Sequence, residues 1–199
     1  MNICLYGASS DKIDEIYLKS AYETGKILGE KGHSLVYGGG SCGVMGNAAK
    51  GVKDAGGKVI GIAPEFMNKP GVLFENCDEF IYTKDMRSRK AKMEELSDGF
   101  LCMPGGFGTL EEFFEILTGK LLGLHGKPIA LVNINGIFDD IVLQMKKFID
   151  EEFAFPKCAN AFYVAASPKE AVNFVEKAPC EYNEEKWKMY NSEKKESSL

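Results

Sequence analysis

Two glycine clusters stand where an apolar stretch gives way to a helix-like pattern. The first runs from Tyr37 to Gly46 and the second from Met103 to Glu112. Glycine allows a close approach of the backbone to a ligand, and the helix that follows offers free N–H groups and a partial positive charge. This combination predicts an anion site, most often for phosphate, although glycines that only make tight turns would give the same pattern. Neither cluster continues into Gly-Lys-Ser/Thr, which disfavours ATP hydrolysis. Dinucleotide binding is likewise not expected, although Gly38 to Gly43 has the spacing Gly-x-Gly-x-x-Gly.

The second cluster ends in Thr109-Leu110-Glu111-Glu112, which has two interpretations. One is a capping box, with Thr109 as the N-cap of a helix and Glu112 at its N3 position, and this needs no ligand. The other is a functional carboxylate, because the same geometry sets Glu112 beside a phosphate-sized anion site. Glu111, at N2, is expected to be the more solvated of the two acids.

A charged segment from Asp85 to Met93 contains a third candidate, Arg89. On a helix, Met86, Arg89 and Met93 share one face, and the two methionines suggest that this face looks inward. A run of charges usually marks a solvated face, but an inward arginine needs a phosphate or a carboxylate as its partner.

The elements that must position these residues alternate between strand and helix. Such alternation predicts an α/β fold, a Rossmann-like doubly wound and mostly parallel sheet of about six to seven strands flanked by helices. The expected strands are 2–6, 34–37, 58–63, 79–82, 99–103, 129–132 and 162–165, and the expected helices are 14–31, 43–55, 85–96, 109–122, 137–152 and one that begins at Ser167, with a loop at 64–77. Residues 1–182 are expected to form a single nucleotide-binding domain, followed by a charged C-terminal tail at 183–199.

Composition narrows the classes of function. Of the 199 residues, 45% are hydrophobic and 27% are charged, which is typical of a globular domain and not of a disordered chain. The net charge of -5 disfavours a nucleic-acid partner. Six scattered cysteines and only two histidines disfavour a metal site, and Cys4 and Cys102 are expected in the core. With no signal-like segment and no membrane-spanning run, we expect a cytoplasmic protein.

Taken in order, three motifs resemble the Lonely Guy family of cytokinin riboside 5′-monophosphate phosphoribohydrolases. They are Gly-Gly-Gly-Ser-x-Gly-x-Met-Gly, Met-x-x-Arg-Lys and Pro-Gly-Gly-x-Gly-Thr-x-x-Glu, and the resemblance extends over about residues 2–167. It implies a homodimer that hydrolyses the N-glycosidic bond of a nucleoside 5′-monophosphate to free base and ribose 5-phosphate, with no cofactor and no metal. The catalytic pair that it implies is Arg89 and Glu112.

The predicted substrate-binding residues come from the glycine clusters and the motif positions. They are Gly39, Gly40, Ser41, Gly43, Met45, Lys90, Gly105, Gly106, Phe107, Gly108, Thr109, Leu110, Glu111 and Thr118. The sequence departs from plant-type members in the loop 64–77, where those members have a substrate-contacting glutamate. Here the loop holds Glu65 and Glu75, and the ungapped match falls near Gly71, so the residue that contacts the base stays open.

Two other functions remain alternatives at this point. One is a non-catalytic carrier of a nucleotide or of the molybdenum cofactor on the same fold, which would need no catalytic carboxylate. The other is a nucleosidase of broad, housekeeping specificity that acts on AMP. Family members have often carried the label "possible lysine decarboxylase", which we discount because lysine decarboxylation usually needs a pyridoxal Schiff base and the sequence has no evident cofactor site.

The helix predicted at 109–122 also suggests how the chain associates. Its apolar residues wrap around more than one face, which is more than a single contact with a sheet uses. They are Phe113, Phe114, Leu117, Leu121 and Leu122. A fully buried core helix would have the same composition, and the family resemblance favours a dimer.

Overall fold

The structure, a computed structural model, describes residues 1–180 and has the expected alternation of strands and helices. Its strands are β1 (Asn2–Tyr6), β2 (Ser34–Tyr37), β3 (Val59–Pro64), β4 (Glu79–Thr83), β5 (Gly99–Cys102), β6 (Ile129–Val132) and β7 (Tyr163–Ala165). Its α-helices are α1 (Glu15–Glu30), α2 (Gly43–Asp54), α3 (Met86–Leu96), α4 (Phe107–Leu122), α5 (Asp139–Asp150) and α6 (Pro168–Lys177). The predicted tail at 183–199 lies outside the described residues.

The seven strands form one sheet in the order β4-β3-β2-β1-β5-β6-β7, and every strand pairing is parallel. The prediction of a doubly wound, mostly parallel sheet is therefore confirmed. The strand order reverses between β1 and β5, and in such sheets ligands bind in the crevice beyond the carboxyl ends of the strands at this point. The two loops that flank the crevice are joined by a hydrogen bond of 3.1 Å from the Ala8 N–H to the Pro104 carbonyl.

Helices cover both faces of the sheet. One layer of the core packs β-strand residues against α1, α2 and α6, and the other packs them against α3, α4 and α5. Cys4 and Cys102 are fully buried in the second layer, as predicted. Both loops of interest, and the N-termini of α2 and α4, lie at the carboxyl edge of this sheet.

Capping side chains mark three of the six α-helix starts, those of α1, α3 and α6. The side chain of Asp14 caps α1 by accepting a hydrogen bond from the Ile16 N–H at 2.9 Å. Ser167 caps α6 with Pro168 in its first turn, as predicted from Ser-Pro-Lys-Glu. The predicted loop at 64–77 contains one short 3-10 helix at Glu65–Met67. Among the described helices, none is long and apolar enough to cross a membrane.

Two buried histidines predict how stability depends on pH. Burial lowers the pKa of His125, whose Nε2 donates to the Ile116 carbonyl at 2.8 Å and whose Nδ1 accepts from the Lys127 N–H at 3.2 Å. Burial and the nearby N-terminal ammonium likewise lower the pKa of His33. Both histidines bind a proton more readily in the unfolded chain than in the folded protein. The stability that the neutral, buried side chains contribute is therefore present above the unfolded pKa of about 6.5 and is lost as the pH falls below it.

We therefore expect the melting temperature to decrease as the pH is lowered from about 7.5 to about 5.5. The matched variant is His125→Gln, since glutamine can keep one donor and one acceptor but does not titrate. Its melting temperature should depend less steeply on pH over this range. An equally steep dependence in the variant would show that His125 is not one of the titrating groups.

Candidate active site

A buried ion pair between α3 and α4 forms the centre of the site. A terminal nitrogen of the Arg89 guanidinium donates a hydrogen bond to Oε1 of Glu112. The two side chains are only 7% and 13% exposed. The structure thus brings together the two residues predicted to be catalytic, although they are 23 positions apart in the sequence.

Arg89 is directed into the protein, as predicted, but the face on which it lies is less apolar than expected. Met93 is fully buried, whereas Met86 is 41% exposed, so the prediction for Met86 was wrong. Met86 is exposed because it is the first residue of α3 and lies at the N-terminal end of that helix. The guanidinium instead lies against Gly38, where a β-carbon would be 3.1 Å from Nη1.

One polar atom of Arg89 still lacks a partner. Its Nε is buried and has no hydrogen-bond partner within residues 1–180. A buried N–H without an acceptor is costly in a folded protein and is often satisfied by a ligand or by water. Because a guanidinium carries five N–H donors, Arg89 can hold Glu112 with one nitrogen and keep donors for other acceptors.

Opposing effects set the ionisation of Glu112. Burial raises the pKa of its carboxyl group, and the charge and hydrogen bond of Arg89 lower it, with a net increase over the ordinary value. Tyr6, the last residue of β1, has a pKa that is raised by burial and, to a smaller extent, by the charge of Glu112. A carboxylate with a raised pKa beside a crevice is a common feature of catalytic acids and bases.

Helix α4 begins earlier than the sequence predicts. Its first residue is Phe107 and its N-cap is Gly106, so Thr109 is not the cap and Glu112 is not at N3. The capping-box interpretation was therefore wrong. No side chain of the described residues caps this helix, and the first turn leaves backbone N–H groups for another acceptor.

The turn before α4 is shaped to expose these donors. A β-carbon on Gly105 would be only 2.0 Å from the hydroxyl oxygen of Thr109. Any residue larger than glycine at this position would therefore collide with the Thr109 side chain. Gly106, Phe107 and Gly108 are exposed, and Phe107 is 94% exposed. The second glycine cluster thus presents an open helix N-terminus, about one helical turn from Glu112.

In the first glycine cluster, several backbone N–H groups already donate hydrogen bonds within the protein. At the start of α2, the Gly43 N–H donates to Oδ1 of Asp11 at 2.7 Å, and the Met45 N–H donates to the Ala8 carbonyl at 3.2 Å. The Ser41 N–H donates to the Val72 carbonyl at 3.0 Å. Two clusters that look alike in the sequence therefore differ, since only the second has an uncapped helix start.

The remaining predicted residues of the first cluster hold the loop after β3. The Gly39 carbonyl accepts from the Phe74 N–H at 2.9 Å, and the Ser41 hydroxyl donates to the Gly71 carbonyl at 2.8 Å. Gly40 forms an antiparallel bridge with Leu73. Glu75, one of the two candidate base contacts, lines a cavity of about 400 Å³ under this loop, and Glu65 is exposed in the 3-10 helix.

Three further predicted residues lie beside the ion pair or beyond it. Lys90 pairs with Glu111 and, at 2.9 Å, with Glu115. Leu110 is half-buried on the core side of α4. Thr118 is exposed further along α4, where it lines an apolar cavity, so the structure does not group it with Arg89 and Glu112.

Known proteins resemble this chain over most of its length. A family model described as "possible lysine decarboxylase" matches residues 45–175. A protein of Oryza sativa subsp. japonica, named as a probable cytokinin riboside 5′-monophosphate phosphoribohydrolase, is 37% identical over 174 residues, covering 87% of this chain and 70% of that one. The chain belongs to the Lonely Guy family. A cytokinin riboside 5′-monophosphate phosphoribohydrolase of Arabidopsis thaliana is also 37% identical, over 89% of this chain and 83% of its own length.

Solved structures with this fold include proteins of another function. The molybdenum cofactor carrier protein of Chlamydomonas reinhardtii is 28% identical, with a TM-score of 0.67 over 88% of this chain and 94% of that one. A molybdenum cofactor binding protein of Rippkaea orientalis is 25% identical, with a TM-score of 0.66 over 88% and 93% of the two chains. The fold of the Lonely Guy family is thus shared with carriers, and only the site can separate the two.

Sequence reasoning missed two residues of this Lonely Guy site. Asp11 closes the N-terminus of α2, and its partner Gly43 is 32 positions away, so no local pattern reveals the contact. Tyr6 is close enough to Glu112 for that charge to raise its pKa, and the signal that could have found it is its place at the end of β1, opposite Cys102 of β5. The strand order needed to use that signal was not available from the sequence alone.

Proposed function

We propose that this protein hydrolyses the N-glycosidic bond of a nucleoside 5′-monophosphate, releasing the free base and ribose 5-phosphate. The single observation that carries the proposal is the buried Arg89–Glu112 pair beside the uncapped N-terminus of α4. The names of relatives that are 37% identical support the same reaction. Water is the only co-reactant, and the reaction needs no change of oxidation state.

The 5′-phosphate binds at the start of α4. The N–H groups of Phe107, Gly108 and Thr109 provide donors there, and the helix adds a partial positive charge. Thr109 and Glu112 are three residues apart and so lie on neighbouring positions of one helix face. A phosphate held at Thr109 therefore leaves the ribose beside Glu112, at a separation of about one helical turn.

Glu112 then acts on the ribose. Breaking the bond to the base develops positive charge on the sugar ring, as in glycoside hydrolysis. The Glu112 carboxylate stabilises that charge and orients or deprotonates the attacking water. The negative charge that Glu112 must carry is favoured by Arg89, which opposes the effect of burial.

Arg89 has a second task at the leaving base or at the oxygens of the substrate. The guanidinium has N–H donors besides the one that holds Glu112, and a bound nucleotide supplies acceptors for them. Because the phosphate anchor lies outside the reacting bond, its binding energy is used to hold the reacting centre in place.

The proposed activity is tested by incubating the protein with AMP and with N6-isopentenyl-AMP and measuring free base and ribose 5-phosphate. Release of both products in equal amounts supports the proposal. The ratio of kcat/KM for the two substrates separates a cytokinin-directed enzyme from a nucleosidase of broad specificity. Binding of both nucleotides without any product would contradict hydrolysis.

A second candidate function is a carrier of the molybdenum cofactor, and the solved structures at 28% identity favour it. A carrier gains nothing from a buried carboxylate at the anion site, because a second negative charge there weakens the binding of an anionic ligand. The Arg89–Glu112 pair therefore favours hydrolysis. We also propose a cytoplasmic location, which suits six free cysteines.

We further propose a homodimer that uses the faces of α4 and α5. Between them lies a cavity of about 650 Å³, lined largely by apolar side chains that include Phe114, Leu121 and Met145. Helix α5 has no buried residue, and its Leu143 is 65% exposed. Large apolar surfaces of this kind mark protein interfaces, and the occupant that we assign is the same face of a second copy.

We expect sedimentation or light scattering at micromolar concentration to give twice the mass of one chain. Phe148→Glu, on the part of α5 that lines this cavity, would place two carboxylates at the symmetric interface and should shift the protein towards a single chain. The control is Lys19→Glu, an exposed position on α1 away from this face. A wild-type mass equal to that of one chain would refute the dimer.

A further inference from the structure

A short segment that follows α4, residues 125–127, contacts both helices of the site. The Nε2 of His125 lies 2.8 Å from the Ile116 carbonyl oxygen of α4. The Nζ of Lys127 donates a hydrogen bond of 2.6 Å to the Glu94 carbonyl of α3. We call residues 125–127 the clip, because their side chains reach one helix each.

Lys127 satisfies the C-terminal end of α3. The last carbonyl groups of a helix lack partners within it, and a cation near them is favoured by the helix dipole. The last turn of α3 contains no basic residue of its own, so Lys127 supplies the cation from outside the helix. The same ammonium lies 5.9 Å from the centre of the Phe100 ring, which is a second favourable contact for its charge.

His125 makes the corresponding contact with α4. Its Nδ1 lies 3.2 Å from the Lys127 backbone nitrogen, and since a backbone N–H can only donate, Nδ1 is the acceptor and Nε2 carries the proton that Ile116 accepts. The His125 residue is only 6% exposed and packs against Phe100, with ring centres 5.6 Å apart. Both nitrogens of the imidazole are therefore used, one on α4 and one on the backbone that carries Lys127.

The two carbonyls that the clip contacts lie further along the helices than the Arg89–Glu112 pair. Ile116 follows Glu112 by about one helical turn, and Glu94 follows Arg89 by just over one turn. Ile116 also lies about 14 Å along the helix axis from the start of α4, where we place the phosphate. The clip thus contacts the helices that carry the reacting pair and not the proposed phosphate site.

We propose that His125 and Lys127 are positioning residues, which hold α3 against α4 so that Arg89 meets Glu112. The inference rests on the proposed function for the meaning of that pair. With the Arg89–Glu112 contact alone, α3 could still rotate or tilt about that contact. A second connection about one turn further along both helices removes this freedom and keeps the guanidinium at the carboxylate.

The ionisation of Glu112 reports whether Arg89 is in place. Arg89 has the largest charge effect on Glu112 and lowers its pKa, against the effect of burial. A rotation of α3 that withdraws the guanidinium would leave burial less opposed, so the pKa of Glu112 would rise. The titratable and charged groups that face Glu112 are Arg89 and Lys90 on α3, Glu111 on α4, Cys4 and Tyr6 on β1, and Cys102 on β5.

The test is the titration of the Glu112 carboxyl carbon, followed by NMR in protein with isotopically labelled glutamate and assigned by the loss of its signal in Glu112→Gln. Lys127→Met keeps an unbranched side chain over Phe100 but removes the donor to α3, and it should raise the titration midpoint by about half a unit or more. Lys127→Arg keeps a cation and a donor and should restore the wild-type midpoint.

Ser167→Ala is the matched control for a general loss of stability. It removes the side chain that caps α6, which packs on the opposite face of the sheet, so it should lower the melting temperature without moving the Glu112 midpoint. A midpoint that moves equally in Ser167→Ala and Lys127→Met, or that stays the same in Lys127→Met, would overturn the inference. If Lys127→Met fails to fold, His125→Phe, which keeps a ring against Phe100 but loses the bond to α4, must give the same rise.

Turnover provides a separate measurement. Lys127→Met should lower kcat for AMP by about tenfold, because a small displacement of Arg89 misaligns the reacting pair. Inhibition by inorganic phosphate should stay the same, since the backbone at the start of α4 is unchanged. Absence of hydrolysis by the wild-type protein would contradict the phosphoribohydrolase, whereas the titration of Glu112 would still decide the role of the clip.

Discussion

Replacing Glu112 with glutamine is expected to lower kcat for nucleoside monophosphate hydrolysis by about 10²–10⁴-fold. The change removes the negative charge that faces the developing ribosyl cation, together with the base for the attacking water. Glutamine has nearly the same size and keeps an oxygen that can accept the hydrogen bond from Arg89. The backbone donors at the start of α4 are untouched, so nucleotide binding should survive.

Stability must be measured beside turnover, because Glu112 is buried. Loss of one partner of a buried ion pair can cost about 3–5 kcal/mol, and kcat should therefore be compared well below the melting temperature of the variant. Since Glu112 is not at N3 of α4, no capping interaction is lost in addition. Near-normal turnover in a folded Glu112→Gln protein would show that Glu112 is not the catalytic carboxylate.

Glu111→Gln is the matched control for this prediction. Glu111 precedes Glu112 on the same helix but is 58% exposed and is paired with Lys90. Its loss of turnover should be far smaller than that of Glu112→Gln. Equal losses in the two variants would mean that the effect comes from the charge of the region and not from a catalytic carboxylate.

The strands were predictable because a parallel sheet covered on both faces is built from short, continuous apolar runs. Phe100 to Cys102 and Ile129 to Val132 are fully buried runs of this kind, and each stands between turn residues and a helix. Their positions in the sequence were predicted to within one residue. The order of the strands in the sheet was not predicted. It depends on which strands pair with each other, and these strands are far apart in the sequence.

The start of α4 shows where local patterns mislead. Thr109 and Glu112 have the spacing of a capping box, whereas the true N-cap, Gly106, has no side chain that could indicate a cap. The same limit applies to the glycine clusters, which have similar composition. Only the fold brings Asp11 to the N-terminus of α2, and no such group reaches α4 among the described residues.

The ion pairs of Lys90 could not be predicted for a related reason. Its place next to Arg89 in a shared motif underlies the prediction that it contacts the substrate, which stays a prediction, but it does not reveal these partners. Its partners, Glu111 and Glu115, are set by the way α3 packs against α4. Side chains that work across two helices are thus less predictable than those that cap or end a single one.

The second large effect that we expect concerns the phosphate of the substrate. AMP should be hydrolysed with a kcat/KM about 10²–10⁴ times that of adenosine, because the nucleoside lacks the group that binds at the start of α4. Two hydrogen bonds from backbone N–H groups to a charged phosphate, at about 1.5–3 kcal/mol each, are enough for a factor of this size. Part of the loss should appear in kcat, since the anchor also positions the ribose against Glu112.

Competition and one substitution locate the anchor. Inorganic phosphate or sulfate should inhibit AMP hydrolysis competitively, and Gly105→Ala should weaken that inhibition, because the new β-carbon would collide with the Thr109 side chain at the first turn of α4. If the anchor were instead the first glycine cluster, Gly105→Ala would leave inhibition by phosphate unchanged. Equal kcat/KM values for adenosine and AMP would refute the phosphate anchor altogether, because the open N-terminus of α4 would then have no part in selecting the substrate.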